Sequence, residues 1–362
     1  RFRYFYHEGF CISADADFVI TGEIYPDETK PEGPFGDHLG YYSLVHPFPV
    51  MRVHKVFAKK NAVWPFTVVG RPPQEDTMFG KLIHEITGDA VEQEIPGLKA
   101  VHAVDAAGVH PLLLALGSER YTPYTKEKQP AELLTLANRI LGTGQLSLAK
   151  YLFITAGEKN SLDINNIEEF LKYMLERINF QRDIHFQTNT TIDTLDYSGN
   201  GLNSGSKAVF AAYGEKRRSL NSDVPKCLQN AVFAKSKLIF NGVVALQIPS
   251  FSNYENAKKE IIVLNDQLTM MDDELNGTPL IILCDDADFV AKNLNNFLWV
   301  TFTRSNPSHD IYGINSFIKN KHWGCTSSLI IDARIKPHHA PPLIKNEKAE
   351  KRVDEILSKY KL

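Results

Sequence analysis

Residues 31–43 read Pro31-Glu32-Gly33-Pro34-Phe35-Gly36-Asp37-His38-Leu39-Gly40-Tyr41-Tyr42-Ser43. Two carboxylates, Glu32 and Asp37, flank a tetrapeptide in which Gly33 and Gly36 permit unusual backbone angles and Pro34 fixes one. Such a loop can turn both acids toward one cavity. There, mutual repulsion and burial raise one pKa, leaving a protonated acid able to donate beside an anionic partner. The same residue types also make an ordinary solvated turn, and on residue types alone the two readings stand level. Around this string the β signals dominate: Phe18-Val19-Ile20, Val50 to Phe57 and Val63 to Val69 read as strands bounded by Pro, Gly, Asp and Asn. Pro26 to Gly40 reads as one long loop between them, of a length that is more often functional than idle.

Beyond Arg71 the pattern changes to helices alternating with buried strands. Leu133, Leu134, Ala137, Ile140 and Leu141 recur at helical spacing and end on Gly142. The short apolar run Tyr151-Leu152-Phe153-Ile154 follows, then a helix whose stripe is Ile164, Ile167, Leu171, Met174, Leu175 and Ile178. A similar passage returns downstream, where Leu280-Ile281-Ile282-Leu283 precedes Asn295-Asn296-Phe297. In the same order, Asn165-Asn166-Ile167 parallels Asn295-Asn296-Phe297, and Arg182-Asp183-Ile184-His185 parallels His309-Asp310-Ile311-Tyr312, with a small offset between the pairs. We read a diverged duplication; two unrelated strand-helix units are the alternative. Residues 336–342 (Lys-Pro-His-His-Ala-Pro-Pro) read as an extended linker. Glu347 to Leu362 reads as an amphipathic helix that docks on its own core or on a neighbouring subunit.

With 362 residues the chain is long enough for two or three domains. Its 43% hydrophobic and 23% charged content describes a globular protein. A formal net charge of -3 and short basic clusters exclude an overall attraction to nucleic acid. Cys11, Cys227, Cys284 and Cys325 are scattered, so neither a disulfide framework nor a paired zinc motif is expected. With no membrane span or signal-peptide layout, the expected location is cytoplasmic, with at most peripheral membrane contact. The chain opens at Arg1 inside an aromatic, strand-like run, which we read as a portion missing upstream.

The thirteen-residue string closely resembles the signature of the UbiD family, decarboxylases of unsaturated and aromatic acids that use prenylated FMN. Ala14 to Ile20, Val69-Gly70-Arg71-Pro72-Pro73-Gln74-Glu75-Asp76, Asn138 to Lys150 with Gly142-Thr143-Gly144-Gln145, and Thr191 to Asp196 with Gly205-Ser206-Lys207 also resemble family segments. Carried over residue by residue, the resemblance makes Asp37 the proton donor and Glu32 its supporting carboxylate. It places Lys150 where some members hold the flavin phosphate; Arg71 is either a structural ion-pair partner or a group near the flavin.

The implied fold class is α/β (α+β): part of a split β-barrel flavin-binding domain over 1–77, an α/β domain over 78–219, a second, diverged α/β unit over 220–346 that has lost chemistry and serves packing, and a terminal helix over 347–362. No residue of this chain is assigned to a metal; the family's manganese-type divalent ion and most of its flavin contacts belong to positions upstream of Phe18 that this sequence does not contain. Asp285, Asp286 and Asp288 read as a polar strand end rather than a magnesium site. The implied partners are a small carboxylic acid substrate, a flavin prenyltransferase that supplies the cofactor, and further copies of the chain. The implied activity is decarboxylation of a polyprenyl 4-hydroxybenzoate-type quinone precursor; the alternative is an inert scaffold that keeps fold and self-association.

Overall fold

The computed structural model describes residues 2–67, 69–157, 162–229 and 235–360. A short hairpin, Tyr4–His7 with Phe10–Ser13, opens the chain. A much longer one pairs Phe18–Glu32 with His46–Ala58. Its length corrects the sequence reading, because the first half of the expected loop is strand: Thr29, Lys30, Pro31 and Glu32 pair with Pro49, Phe48, Pro47 and His46 after an irregularity at Ile24–Thr29. Proline lacks an N–H, and a two-stranded ribbon has outer edges where none is needed. Val63 to Thr67, expected as strand, carries no ladder; Trp64 instead packs edge-on against Phe18. Among the described residues the two hairpins do not close into a barrel. Ile20, Ile24, Met51, Val53 and Val56 of the long hairpin are exposed, an apolar surface of the kind that favours association.

The rest is built from two five-stranded sheets of one design. The first runs Leu98–Ala103, Leu112–Gly117, Tyr151–Ala156, Gly205–Ala212, Ile184–Thr190 in spatial order. The second runs Lys235–Phe240, Val243–Gln247, Leu280–Cys284, Leu329–Asp332, Ile311–Gly313. In both, the last two strands in space are reversed in sequence, the outer pairs are antiparallel and the inner pairs parallel. The register agrees as well: Phe153–Phe210–Ile184 forms one row and Ile282–Ile331–Ile311 the other.

The helices repeat too. Asn166 caps Ile167–Arg177 through the Glu169 N–H, and Asn293 caps Leu294–Thr303 through the Asn296 N–H. The equivalent of Asn166 is therefore Asn293, not Asn296, and with that pairing the small offset disappears. Asn179 and Asn306 then fall in step. Each donates its N–H to the carboxylate four residues on, Asp183 at 2.9 Å and Asp310 at 2.6 Å.

Strands buried on both faces alternate between two cores. Leu113, Ala115, Leu152 and Ile154 pack under Glu132–Ile140, whereas Val244, Leu246, Ile281 and Leu283 pack under Tyr254–Thr269. The intervening positions, Leu112, Leu114, Tyr151 and Phe153 on one sheet and Val243, Ala245, Leu280 and Ile282 on the other, share a central core with Phe170, Phe297 and Phe302. Residues 336–342 are not a free linker. Lys336 is buried, and the Tyr42 N–H donates to the Pro341 carbonyl at 2.9 Å, so this proline-rich segment is a strap across residues 40–42. The terminal helix Glu347–Tyr360 forms as expected but buries no residue against its own core. No described helix is long and apolar enough to cross a membrane.

Candidate active site

The loop after Glu32 closes on itself. Phe35 and Ser43 exchange hydrogen bonds, Ser43 N–H to the Phe35 carbonyl at 2.8 Å and Phe35 N–H to Ser43 Oγ at 3.1 Å. Inside that closure the Asp37 N–H reaches the Tyr41 carbonyl at 2.9 Å. Asp37 is 2% exposed. Its Oδ1 accepts the N–H of Leu39 at 2.8 Å and of Tyr41 at 3.3 Å, while Oδ2 is buried with no hydrogen-bond partner among the described residues. Burial, aided by the nearby Asp193 carboxylate, pushes the Asp37 pKa up to about 7 against the opposing pull of the surrounding backbone amides.

Glu32 is placed differently. It ends the long strand opposite His46 and is exposed. The carboxylate that acts on Asp37 is Asp193, which the sequence reading did not single out. Burial alone would raise Asp193, but hydrogen bonds from His110 and from the Leu195 N–H, at 2.8 Å, hold it below the usual carboxylate range. His38 Nε2 lies 3.8 Å from Asp193 Oδ2, the oxygen that meets His110, and burial pushes its imidazole down. His38, His110 and Asp193 thus bring one potential metal-ligand atom each to within 4.8 Å of one another. His38 was visible in the string and Asp193 lay within the quoted segment Thr191 to Asp196 without being assigned a role; His110 had no local pattern to mark it.

Behind the loop stands Leu294–Thr303 of the second unit. Trp299 Nε1 donates to the Leu39 carbonyl at 2.7 Å, and the Tyr41 ring stacks on the indole at 5.0 Å and 17°. Arg304 Nε donates to the Tyr41 hydroxyl at 3.2 Å, which lies 2.7 Å from Thr303 Oγ1. Gly40 permits this approach: φ is +89°, and a Cβ there would lie 2.7 Å from the Arg71 Cα.

Arg71 faces a cleft of about 810 Å³ on this rear side, lined also by Phe289, Trp299, Arg304 and Leu343. Its guanidinium lies 4.5 Å from the Trp299 ring centroid and donates to Asn296. Lys150 is 1% exposed, with Nζ 2.7 Å from Asp196 Oδ2 and 2.6 Å from Ser198 Oγ. A phosphate contact would require it to leave that pair. Of the weaker candidates, Asp286 caps a helix through the Phe289 N–H, Asp285 accepts the Ile335 N–H, and Asp288 pairs with Lys235.

The family descriptions "3-octaprenyl-4-hydroxybenzoate carboxy-lyase Rift-related domain" and "3-octaprenyl-4-hydroxybenzoate carboxy-lyase C-terminal domain" match residues 4–72 and 77–212. This chain belongs to the UbiD family. An uncharacterised protein of Chlamydia trachomatis is 35% identical over 97% of this UbiD chain and 56% of its own length. A Chlamydia pneumoniae protein named as a 4-hydroxybenzoate decarboxylase subunit is 33% identical over 96% of this chain and 55% of its own. The chain thus spans about half the length of these relatives. Among solved structures, the closed form of vanillic acid decarboxylase from Sedimentibacter hydroxybenzoicus aligns with 71% of this chain and 48% of its own, at 17% identity and a TM-score of 0.48. The matched stretches include the Asp37 loop and the first five-stranded sheet; the second sheet lies beyond residue 212.

Proposed function

We propose that the protein catalyses non-oxidative decarboxylation of an aromatic or α,β-unsaturated carboxylic acid, with a polyprenyl 4-hydroxybenzoate-type quinone precursor as the substrate class and Asp37 as proton donor. The observation that carries this is Asp37 itself: buried, fixed through Oδ1, with Oδ2 left without a partner and a pKa near neutrality. A general acid works best with its pKa close to the operating pH. The family name and the relative named as a 4-hydroxybenzoate decarboxylase component support the reaction class.

The residues present fit the acid end of a site for prenylated FMN, which when bound supplies the electron sink for loss of carbon dioxide. Asp37 holds and returns the proton; Asp193, fixed by His110, keeps it on Asp37; Glu32 is a supporting carboxylate nearer solvent. Most of the phosphate and manganese-type metal contacts are expected from parts of the longer protein that this chain, about half the length of its relatives, does not span. The chain by itself is therefore expected to bind prenylated FMN only weakly and to release no carbon dioxide, which a flavin absorbance titration checks; tight binding would overturn that division of the site.

A pH profile tests the donor. The protonated fraction of Asp37 falls as pH rises through about 7, so kcat of the flavin-loaded full-length protein is expected to fall on the alkaline side of about 7. The groups that bear on Asp37 are Asp193, Tyr197 and, through Asp193, His38 and His110. Asp193→Asn removes a negative charge that raises the Asp37 pKa, so the falling limb is expected to move to lower pH. A limb that stays in place or moves upward would remove Asp193 from this role. A second reading, an inert scaffold, is favoured by the Lys150–Asp196 pair, which leaves that ammonium engaged. Flavin content of the purified full-length protein separates the two.

A further inference from the structure

We infer that the second α/β unit is part of the apparatus that sets Asp37, with Trp299 as its positioning residue. The inference rests on the proposed donor role of Asp37. It replaces the expectation that this unit only packs.

The contacts converge on the two residues that hold the acid. Leu39 gives its N–H to Asp37 Oδ1 at 2.8 Å and its carbonyl to Trp299 Nε1 at 2.7 Å, so one side chain anchors the residue that anchors the carboxylate. Tyr41 gives its N–H to the same oxygen at 3.3 Å, and its ring lies against the indole. Beyond the ring, a directed chain of donors runs back into the helix. Arg304 Nε donates to the Tyr41 hydroxyl at 3.2 Å, that hydroxyl meets Thr303 Oγ1 at 2.7 Å, and Thr303 Oγ1 donates to the Trp299 carbonyl at 2.5 Å. Trp299 and Thr303, four residues apart on one helix face, therefore grip both amide donors of Asp37.

The strap completes the grip on the same short stretch. Leu343 N–H reaches the Gly40 carbonyl at 3.1 Å, and Tyr42 N–H reaches the Pro341 carbonyl at 2.9 Å. Residues 39–42 are thus held by the helix and by the strap, both contributed by the second unit. General packing would bury the loop anywhere along its length; here the polar contacts select the residues that fix Oδ1 and so decide where Oδ2 points. A donor displaced by about 1 Å loses roughly a hundredfold in rate, which makes such anchoring consequential.

Trp299→Phe tests this, because phenylalanine keeps a ring for Tyr41 to stack on but removes the N–H donor. In this chain, without cofactor, hydrogen–deuterium exchange at the Leu39 and Tyr41 amides is expected to quicken about tenfold, while the Phe153 amide of the central strand keeps its rate. In the flavin-loaded full-length protein, kcat is expected to fall about tenfold with KM unchanged. Thr303→Val, nearly isosteric, breaks the same linkage at Tyr41 and stands in if Trp299→Phe fails to fold.

Unchanged exchange at residues 39 and 41 in the folded variants overturns the inference. So does quickened exchange with a normal kcat. Failure of the donor role itself is read separately, as turnover by Asp37→Asn, and leaves the exchange rates as they are.

Discussion

Asp37→Asn is expected to yield a folded, flavin-loaded protein whose carbon dioxide release is lower by about a hundredfold to ten-thousandfold, the usual cost of losing a general acid. The substitution is isosteric. An asparagine side-chain carbonyl at the Oδ1 position still accepts the Leu39 and Tyr41 N–H groups that hold the carboxylate, so the loop keeps its closure. What disappears is the proton. Burial keeps the acid protonated up to about pH 7, and an amide has none to give. Carbon dioxide release by purified full-length variants, with flavin content checked by absorbance, measures the effect; near-normal turnover at full occupancy would remove Asp37 from the mechanism. Glu32→Gln is the informative companion. Glu32 is exposed, and the carboxylate acting on Asp37 is Asp193, so Glu32→Gln is expected to impair turnover less than Asp37→Asn does.

Lys336→Met is expected to lower folding stability by about 3–5 kcal/mol, the usual consequence of breaking a buried ion pair from one side. Lys336 is fully enclosed, with Nζ 3.2 Å from Asp310 Oδ1 and hydrogen-bonded to the carbonyls of Asp332 at 2.8 Å and Arg304 at 3.1 Å. Methionine fills the space but leaves these acceptors unpaired. Burial already pushes Asp310 up to about 7, and losing its cation pushes it further. A carboxyl raised in the folded state contributes stability at low pH that is lost as pH rises through its folded pKa. The deficit relative to the parent protein is therefore expected to widen between pH 5.5 and 8 in urea unfolding. A loss that is small and independent of pH would mean that the pair is dispensable. Lys336 also begins the strap that crosses residues 40–42, so the same variant is expected to loosen the Asp37 loop.

Local signals settled what local physics controls. The glycines and prolines of residues 31–43 pointed to a turn-rich loop, short apolar runs and helical spacing marked the central strands and helices, and the repeated Asn and Asp positions pointed to the recurring cap and turn, which the structure pairs without the offset. Where residue chemistry and position disagreed, tertiary context prevailed. Pro31 read as loop, yet it faces Pro47 in a two-stranded ribbon with free edges. The prolines of 336–342 read as a linker, yet that segment lies on the Asp37 loop because Lys336 has a buried carboxylate to meet.

The environment of Asp37 could not be read along the chain at all. Asp193 and His110 reach it from the first sheet's loops, and Trp299 and Arg304 approach from a helix of the second unit. Sequence alone supplied the acid and the turn that carries it. Its burial, its raised pKa and its anchoring were decided by folding, because desolvation and long-range hydrogen bonds depend on which distant segments meet, and such meetings leave no periodic trace in the residues that make them.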